Sequence, residues 1–349
     1  MAAVPVDGVQ HEGEQMDRYA RQMVFPPMGE KGQRRLLGAT ALIVGCGALG
    51  SGSAELLARA GVRTLRLVDR DYLELHNLQR QSLYDERLLA EALPKAVAAA
   101  QRIGEINSSI VAEAYPIDLT GDNALEFFDG VDIVLDGTDN WETRYLLNDA
   151  AVRTGTPWVY GGVIGVTGMS MAIVPGRTPC LRCIFPDLPP PGGETCETAG
   201  VLGPAVWMVA SVQAMSALRI LLGDPPEARL TTVDAWNAGM ESLALGGPVA
   251  GCPACDLRTG EFLNGSHGTG VRLCGRSSVQ VSARPGARLD LGAVAARLGS
   301  VGAVRHNEHL LKLDVDGYGL TLFADGRAIV SGTEEDAVAR SLYARYIGY

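Results

Sequence analysis

An unbroken apolar run at residues 41–44 stops at Gly45-Cys46-Gly47-Ala48-Leu49-Gly50, and residues 53–60 then read as a helix closed by Gly61. Glycine there is what a helix C-terminus selects. A second apolar run, 65–68, ends in Asp69. Strand, glycine turn, helix and strand make a βαβ unit, whose parallel strands imply a sheet covered on both faces. Further on, the pattern predicts a long Ala-rich helix over 93–106 and a buried strand at 131–135, followed by Asp136-Gly137-Thr138-Asp139-Asn140. Strands at 158–160 and 169–174 and a helix over 205–222 come next. The expected class is α/β, a Rossmann-like doubly wound sheet.

Regular patterning breaks at 187–200, where Pro189, Pro190, Pro191, Gly192 and Gly193 exclude helix and strand alike. That segment reads as a surface loop, and it holds Cys196. After Cys255 the pattern changes again, to a strand at 279–281, a helix over 289–298, and hairpins turning at Asp316-Gly317 and Asp325-Gly326. A last helix is predicted over 333–346, with Thr333 and Asp336 at capping-box spacing. The division expected is a flexible tail (1–17), a large α/β domain (18–265), and a small C-terminal α+β domain (266–349).

Composition adds exclusions. A chain of 349 residues, 47% hydrophobic, can bury one large core and a small second one. Thirty basic residues against 40 acidic leave a net charge of −10, with no basic run, so nucleic acid is not an expected partner. The apolar stretch at 205–222 is interrupted by Ser, Gln and Arg and is not read as a membrane span. Residues 1–17 lack the basic-then-apolar order of a signal peptide. The chain has seven cysteines, four of them in two Cys-x-x-Cys pairs, which suits a reducing cytoplasm better than a disulfide framework.

The candidate chemistry lies in the loops after the strands. G-x-G-x-x-G between strand and helix (Gly45, Gly47, Ala48, Gly50) lets backbone amides approach a phosphate at the helix N-terminus. Asp69, about twenty residues beyond the last glycine, is placed to bond ribose hydroxyls. Ligands of such sheets bind at the carboxyl ends of the strands, so Asp69 and Asp139 should face one crevice. Arg80 and Lys95 there would neutralise a triphosphate, and a carboxylate would hold magnesium. Taken singly, each has a plainer role: Arg80 in a surface ion pair, Lys95 as a solvated helix residue, Asp139 as an N-cap with Glu142 three residues on. The pairs Cys180/Cys183 and Cys252/Cys255 can supply four thiolates to a tetrahedral zinc, provided the fold brings them together. Cys196 is then spare for chemistry, while Cys46 and Cys274 read as packing residues. The five histidines form no cluster.

Several motifs occur in one order: Arg18-Tyr19-Ala20-Arg21-Gln22, the glycine loop, Asp69-Arg70-Asp71, Asn77-Leu78-Gln79-Arg80-Gln81, Pro94-Lys95, Thr138-Asp139-Asn140 and the two cysteine pairs. From Arg18 to Cys255 this order resembles the ThiF/MoeB family of ubiquitin-activating-type adenylyltransferases. The C-terminal segment, including Leu273-Cys274-Gly275-Arg276, looks like an appendage of bacterial ThiF-like members. The resemblance implies a nucleotidyltransferase that uses ATP to adenylate the Gly-Gly carboxylate of a small β-grasp sulfur carrier, ThiS-like first and MoaD-like second. It implies phosphate contacts from Arg80 and Lys95, Mg2+ at Asp139, ribose at Asp69, and nucleotide placement by Asn77 and Asn140. It also implies Arg21 reaching the other subunit of a homodimer, structural Zn2+ on the four cysteines, and Cys196 linking to the carrier during sulfur transfer. A sulfur donor such as a cysteine desulfurase or rhodanese would follow. Two positions depart from the family pattern, His76 where Ser is usual and Ala92 in place of a glycine shortly before Pro94-Lys95. The competing readings are an NAD(P) oxidoreductase, a non-catalytic carrier-docking scaffold, and a tRNA-dehydratase relative sharing the glycine loop.

Overall fold

The apolar runs of the first half become the centre of one sheet. The computed structural model describes residues 16–189, 198–265, 270–272, 278–282 and 287–348. The chain divides into two units, one running to residue 89 and from 95 to 265, the other taking 90–94 together with everything from 266.

In the larger unit the strands are β1 (Thr40–Val44), β2 (Thr64–Val68), β3 (Val111–Tyr115), β4 (Ile133–Asp136), β5 (Trp158–Ile164), β6 (Thr167–Ile173), β7 (Arg229–Asp234) and β8 (Gly239–Ala244). They form one eight-stranded sheet in the order β3-β2-β1-β4-β5-β6-β7-β8. The first five are parallel and the last three pair antiparallel. β1 is the strand where the order reverses, and the crevice at the carboxyl ends of β1 and β4 is the binding place of such a sheet. β1 and β4 are buried almost throughout, as strands covered on both faces must be.

The helix after β1 spans Ala48–Ala60, starting well before the predicted 53–60. Gly50 and Gly52 carry poor helix propensity, but a Cβ on Gly52 would come 3.0 Å from Ala210, so tight packing overrides propensity. Gly61 ends this helix at φ +87°, as expected. The helix Gly203–Leu222 is, among the described residues, the only one long and apolar enough to cross a membrane. It packs instead on the Ala48–Ala60 helix and on β5 and β6, with Val209, Ala210, Gln213 and Ala217 fully buried. Its Gln213 amide donates to the carbonyls of Asp136 (2.9 Å) and Val159 (3.3 Å), pinning β4 and β5 from one face. β3, β7 and β8 were not among the predicted strands, because β3 and β7 are only half-buried and β8 is largely exposed, so none carries a buried apolar run.

The smaller unit holds β9 (Gly270–Arg272), β10 (Ser278–Val281), β11 (Ala303–His306), β12 (Leu310–Val315), β13 (Tyr318–Phe323) and β14 (Ala328–Ser331). They form an antiparallel sheet in the order β11-β12-β13-β14-β10-β9, with helices Leu291–Leu298 and Asp336–Tyr346 sharing its core. Both Asp-Gly turns fall where predicted, with Asp316 and Gly317 each at positive φ. The predicted capping box does not form. The last helix starts at Asp336 with Glu335 in the cap position, and the Thr333 hydroxyl instead accepts from Glu335 N (3.1 Å). Cys274 and residues 1–15 lie outside the described residues.

Candidate active site and metal centre

The glycine loop is shaped by two kinds of glycine. Gly45 sits at φ +84°, and a Cβ there would lie 2.6 Å from Gly137 O, so the turns after β1 and β4 touch backbone to backbone. Gly50 and Gly137 likewise face the Gly45 carbonyl with no room for a side chain. Gly47 is different. A Cβ there would meet nothing closer than Gln81 Nε2 at 3.9 Å. The space over Gly47 is open to a phosphate approaching the start of the Ala48–Ala60 helix. That helix has no side-chain N-cap, so its first N–H groups remain available to an anion. Beside the loop, Gln81 is buried and its Oε1 has no hydrogen-bond partner among the described residues. The open space over Gly47 and this orphaned acceptor fit a nucleotide.

Asp69 closes one side. Its carboxylate accepts from Cys46 N (2.6 Å) and Asp71 N (2.7 Å). Burial pushes its pKa above the ordinary carboxylate range, against the pull of Lys95. Lys95, at the start of helix Lys95–Ile106, donates from Nζ to Asp71 Oδ2 at 2.8 Å with its side chain only 8% exposed. It is not the solvated helix residue of the plainer reading. The Tyr84 hydroxyl lies within hydrogen-bonding distance of the carbonyls of Cys46 (2.7 Å) and Lys95 (3.2 Å), tying the glycine loop to the lysine. Burial drives the Cys46 thiol well above its ordinary pKa, which leaves it a packing residue.

Across the crevice, β4 ends in Asp136, whose buried carboxylate pairs with Arg144 Nε at 3.1 Å. Arg144 Nη2 donates to the carbonyls of Thr138 (2.8 Å) and Gly161 (3.2 Å), and its guanidinium stacks near Trp141 and Tyr160. This pair sets the path of the loop that presents Asp139. Asp139 is exposed and is not the N-cap, since Asn140 fills that place by accepting from Thr143 N (2.8 Å). Its carboxylate is therefore not engaged in capping.

Not every predicted residue is drawn in. Asn77 is buried, but its Oδ1 accepts from Glu74 N (3.0 Å) in a local capping box. Arg80 is half-buried and donates from Nη1 to His76 O (2.8 Å), while Arg21 is exposed on the short helix Ala20–Met23. Cys196 lies outside the described residues. Asp71, Tyr84, Gln81 and Arg144 were not among the predicted site residues. Asp71 and Gln81 sat within quoted motifs, whereas Tyr84 and Arg144 have no spacing signal of their own.

The two cysteine pairs meet. Cys180 Sγ lies 3.8 Å from Cys183 and 3.7 Å from Cys252, with Cys183 3.4 Å from Cys255, and all four sulfurs fall within 4.8 Å of one another. Zinc with sulfur ligands at about 2.3 Å sets tetrahedral S–S separations of about 3.8 Å, so the cluster can hold zinc. The fold prepares it: Leu181 N donates to Asn148 Oδ1 (2.8 Å), and Val249 N points at Cys183 Sγ (3.4 Å). Burial, then the neighbouring thiols, raises Cys180. Cys252 is lowered because, against burial, the N–H groups of Cys255 and Ala254 favour its thiolate.

Sheet order, glycine cradle and four-cysteine end together define a nucleotide-binding protein of the doubly wound class. The chain belongs to the ThiF family, whose model matches residues 19–254. It is 42% identical over 334 residues to the sulfur carrier protein ThiS adenylyltransferase of Bacillus subtilis, covering 95% of this chain and 99% of that one. It is 41% identical to the sulfur carrier protein adenylyltransferase of Thermus thermophilus, over 69% of this chain and 91% of the relative. The adenylyltransferase and sulfurtransferase MOCS3 of Dictyostelium discoideum is 38% identical, and the match spans 69% of this chain and 57% of MOCS3. Among solved structures, E. coli MccB with ATP superposes with a TM-score of 0.59 at 20% identity, over 68% of this chain and 74% of that one, a likeness of fold.

Proposed function

We propose that this chain uses ATP to adenylate the C-terminal Gly-Gly carboxylate of a small β-grasp sulfur carrier of the ThiS kind, in formation of the thiamine thiazole. The observation that supports it most is the likeness to the Bacillus ThiS adenylyltransferase, which runs over 95% of this chain and so takes in the C-terminal unit. A carrier of the MoaD kind is the second reading, favoured by the MOCS3 relatives. Hydride transfer would leave Arg80, Lys95, Asp139 and the paired cysteines without work.

In the reaction, a carrier carboxylate oxygen bonds to the α-phosphorus of ATP as the bond from that phosphorus to the bridging oxygen breaks. Pyrophosphate leaves with the electron pair. The nucleophile is already ionised, so no general base is needed, and the task is to bring an anion onto a polyanion. Helix N–H groups beside Gly47 cradle phosphate, Lys95 and Arg80 offset its charge, Asp69 accepts from the ribose, and Asn77 and Asn140 place the nucleotide. Asp139 would hold magnesium, which would supply charge neutralisation to the departing pyrophosphate. Arg21 would serve the neighbouring subunit's nucleotide in a homodimer. The four cysteines would hold zinc, which would clamp the end of the domain in a structural role. Cys196 would link to the carrier in a later sulfur-transfer step fed by a cysteine desulfurase or rhodanese, in the cytoplasm. The test is ATP–pyrophosphate exchange with ThiS-like and MoaD-like carriers offered separately in magnesium. Stimulation by one carrier names the substrate, and no exchange with either, from folded zinc-loaded protein, refutes the reading.

A further inference from the structure

The C-terminal unit includes a short piece of chain from far upstream, residues 90–94, and the next residue in sequence is Lys95. Within this piece Ala92 sits at φ +51°, a left-handed conformation that glycine adopts freely and alanine does not. Something must therefore hold the turn. In the same unit, Asn307 Nδ2 donates to both Glu91 O and Ala92 O, each at 3.1 Å. Its other end is committed as well, because Oδ1 accepts from His309 N and Leu310 N, both at 2.9 Å, closing the turn between β11 and β12. One half-buried amide thus joins a hairpin of the C-terminal unit to the strained turn that leads into helix Lys95–Ile106. From Lys95 onward the chain is fixed by other groups, with its N–H donating to Asp71 O (2.9 Å) and its Nζ paired to the Asp71 carboxylate.

The geometry points to Asn307 as a positioning residue for Lys95: its side-chain amide holds the 91–92 turn in the left-handed form and so sets where the phosphate-binding lysine begins its helix. This assigns the C-terminal unit a part in adenylation through the chain itself, and it rests on the reading of Lys95 as a phosphate ligand.

Three variants test it. Asn307→Asp keeps the acceptor for His309 N and Leu310 N but replaces the donor by an oxygen facing two carbonyls, so the hairpin survives and the clamp does not. Asn307→Ala removes both. Ala92→Gly removes the conformational penalty that the clamp holds down. In carrier-stimulated ATP–pyrophosphate exchange, Asn307→Asp and Asn307→Ala should each lower kcat on the order of tenfold with the carrier KM within about twofold. Adding Ala92→Gly to Asn307→Ala should bring kcat back to within about threefold of the natural protein. A kcat unchanged in Asn307→Asp, or a failure of Ala92→Gly to restore Asn307→Ala, overturns the proposal. Amide hydrogen exchange over residues 89–96 gives a second readout that needs no catalysis, and it should rise on the order of tenfold in Asn307→Asp. Unchanged protection there overturns the positioning role even if the natural protein shows no exchange with any carrier. That last result by itself counts only against the proposed function.

Discussion

Replacing Arg144 by Met removes the cation from a pair in which Asp136 is fully buried and Arg144 nearly so. The carboxylate keeps bonds from Thr138 N and Oγ1 (2.9 and 2.7 Å), but its charge loses its only opposing partner among the described residues. Breaking a buried pair from one side costs about 3–5 kcal/mol, because the remaining charge stays desolvated. Burial already holds the Asp136 pKa above its ordinary value with Arg144 opposing the rise, so loss of Arg144 raises it further. A carboxyl whose folded pKa exceeds its unfolded one binds protons more readily when folded, so the penalty falls as pH falls through the folded pKa. The variant should therefore be most destabilised near about pH 8 and recover part of the loss near about pH 5. Adding Asp136→Asn should recover much of the rest, since it leaves a neutral amide in place of the orphaned charge. All four tryptophans, at 141, 158, 207 and 236, belong to the larger unit, so urea unfolding followed by tryptophan fluorescence reads that unit by itself. A loss under about 1 kcal/mol, a loss that grows toward acid, or a double variant no better than the single would refute the account.

Gly47→Ala should leave stability within about 1 kcal/mol yet weaken ATP binding on the order of tenfold, whereas Gly50→Ala should unfold the larger unit; calorimetry and nucleotide titration separate the two. Arg80→Ala, at a half-buried position, and Asp139→Ala, at an exposed one, should abolish pyrophosphate exchange with little change in the unfolding curves, and retained exchange would remove these residues from the site. Cys252→Ser should lose bound zinc by elemental analysis and lower the unfolding midpoint of the larger unit, an effect of several kcal/mol on the order expected for a structural site. Cys196→Ser should spare exchange and impair only later sulfur transfer; lost exchange in folded, zinc-loaded protein would reassign that cysteine.

Much of this protein was legible in the order of its residues, because the signals are local. The apolar run ending in a glycine turn marked β1 and the helix after it, and Gly61 and the Asp316-Gly317 turn follow from backbone sterics at single positions. Paired cysteine spacing announced two half-sites in the same way. The tertiary structure decided what depends on contact across sequence. It closed the metal cluster by bringing Cys252 within 3.7 Å of Cys180. It started the helix after β1 at Ala48 because packing outweighs glycine's poor propensity, and it gave the N-cap place to Asn140, leaving Asp139 outside it. Tyr84, Arg144 and Asn307 hold the lysine and aspartate loops through bonds to backbone carbonyls. Such bonds carry no periodicity and no spacing, since any carbonyl accepts them. Only the folded path of the chain says which carbonyl lies within reach.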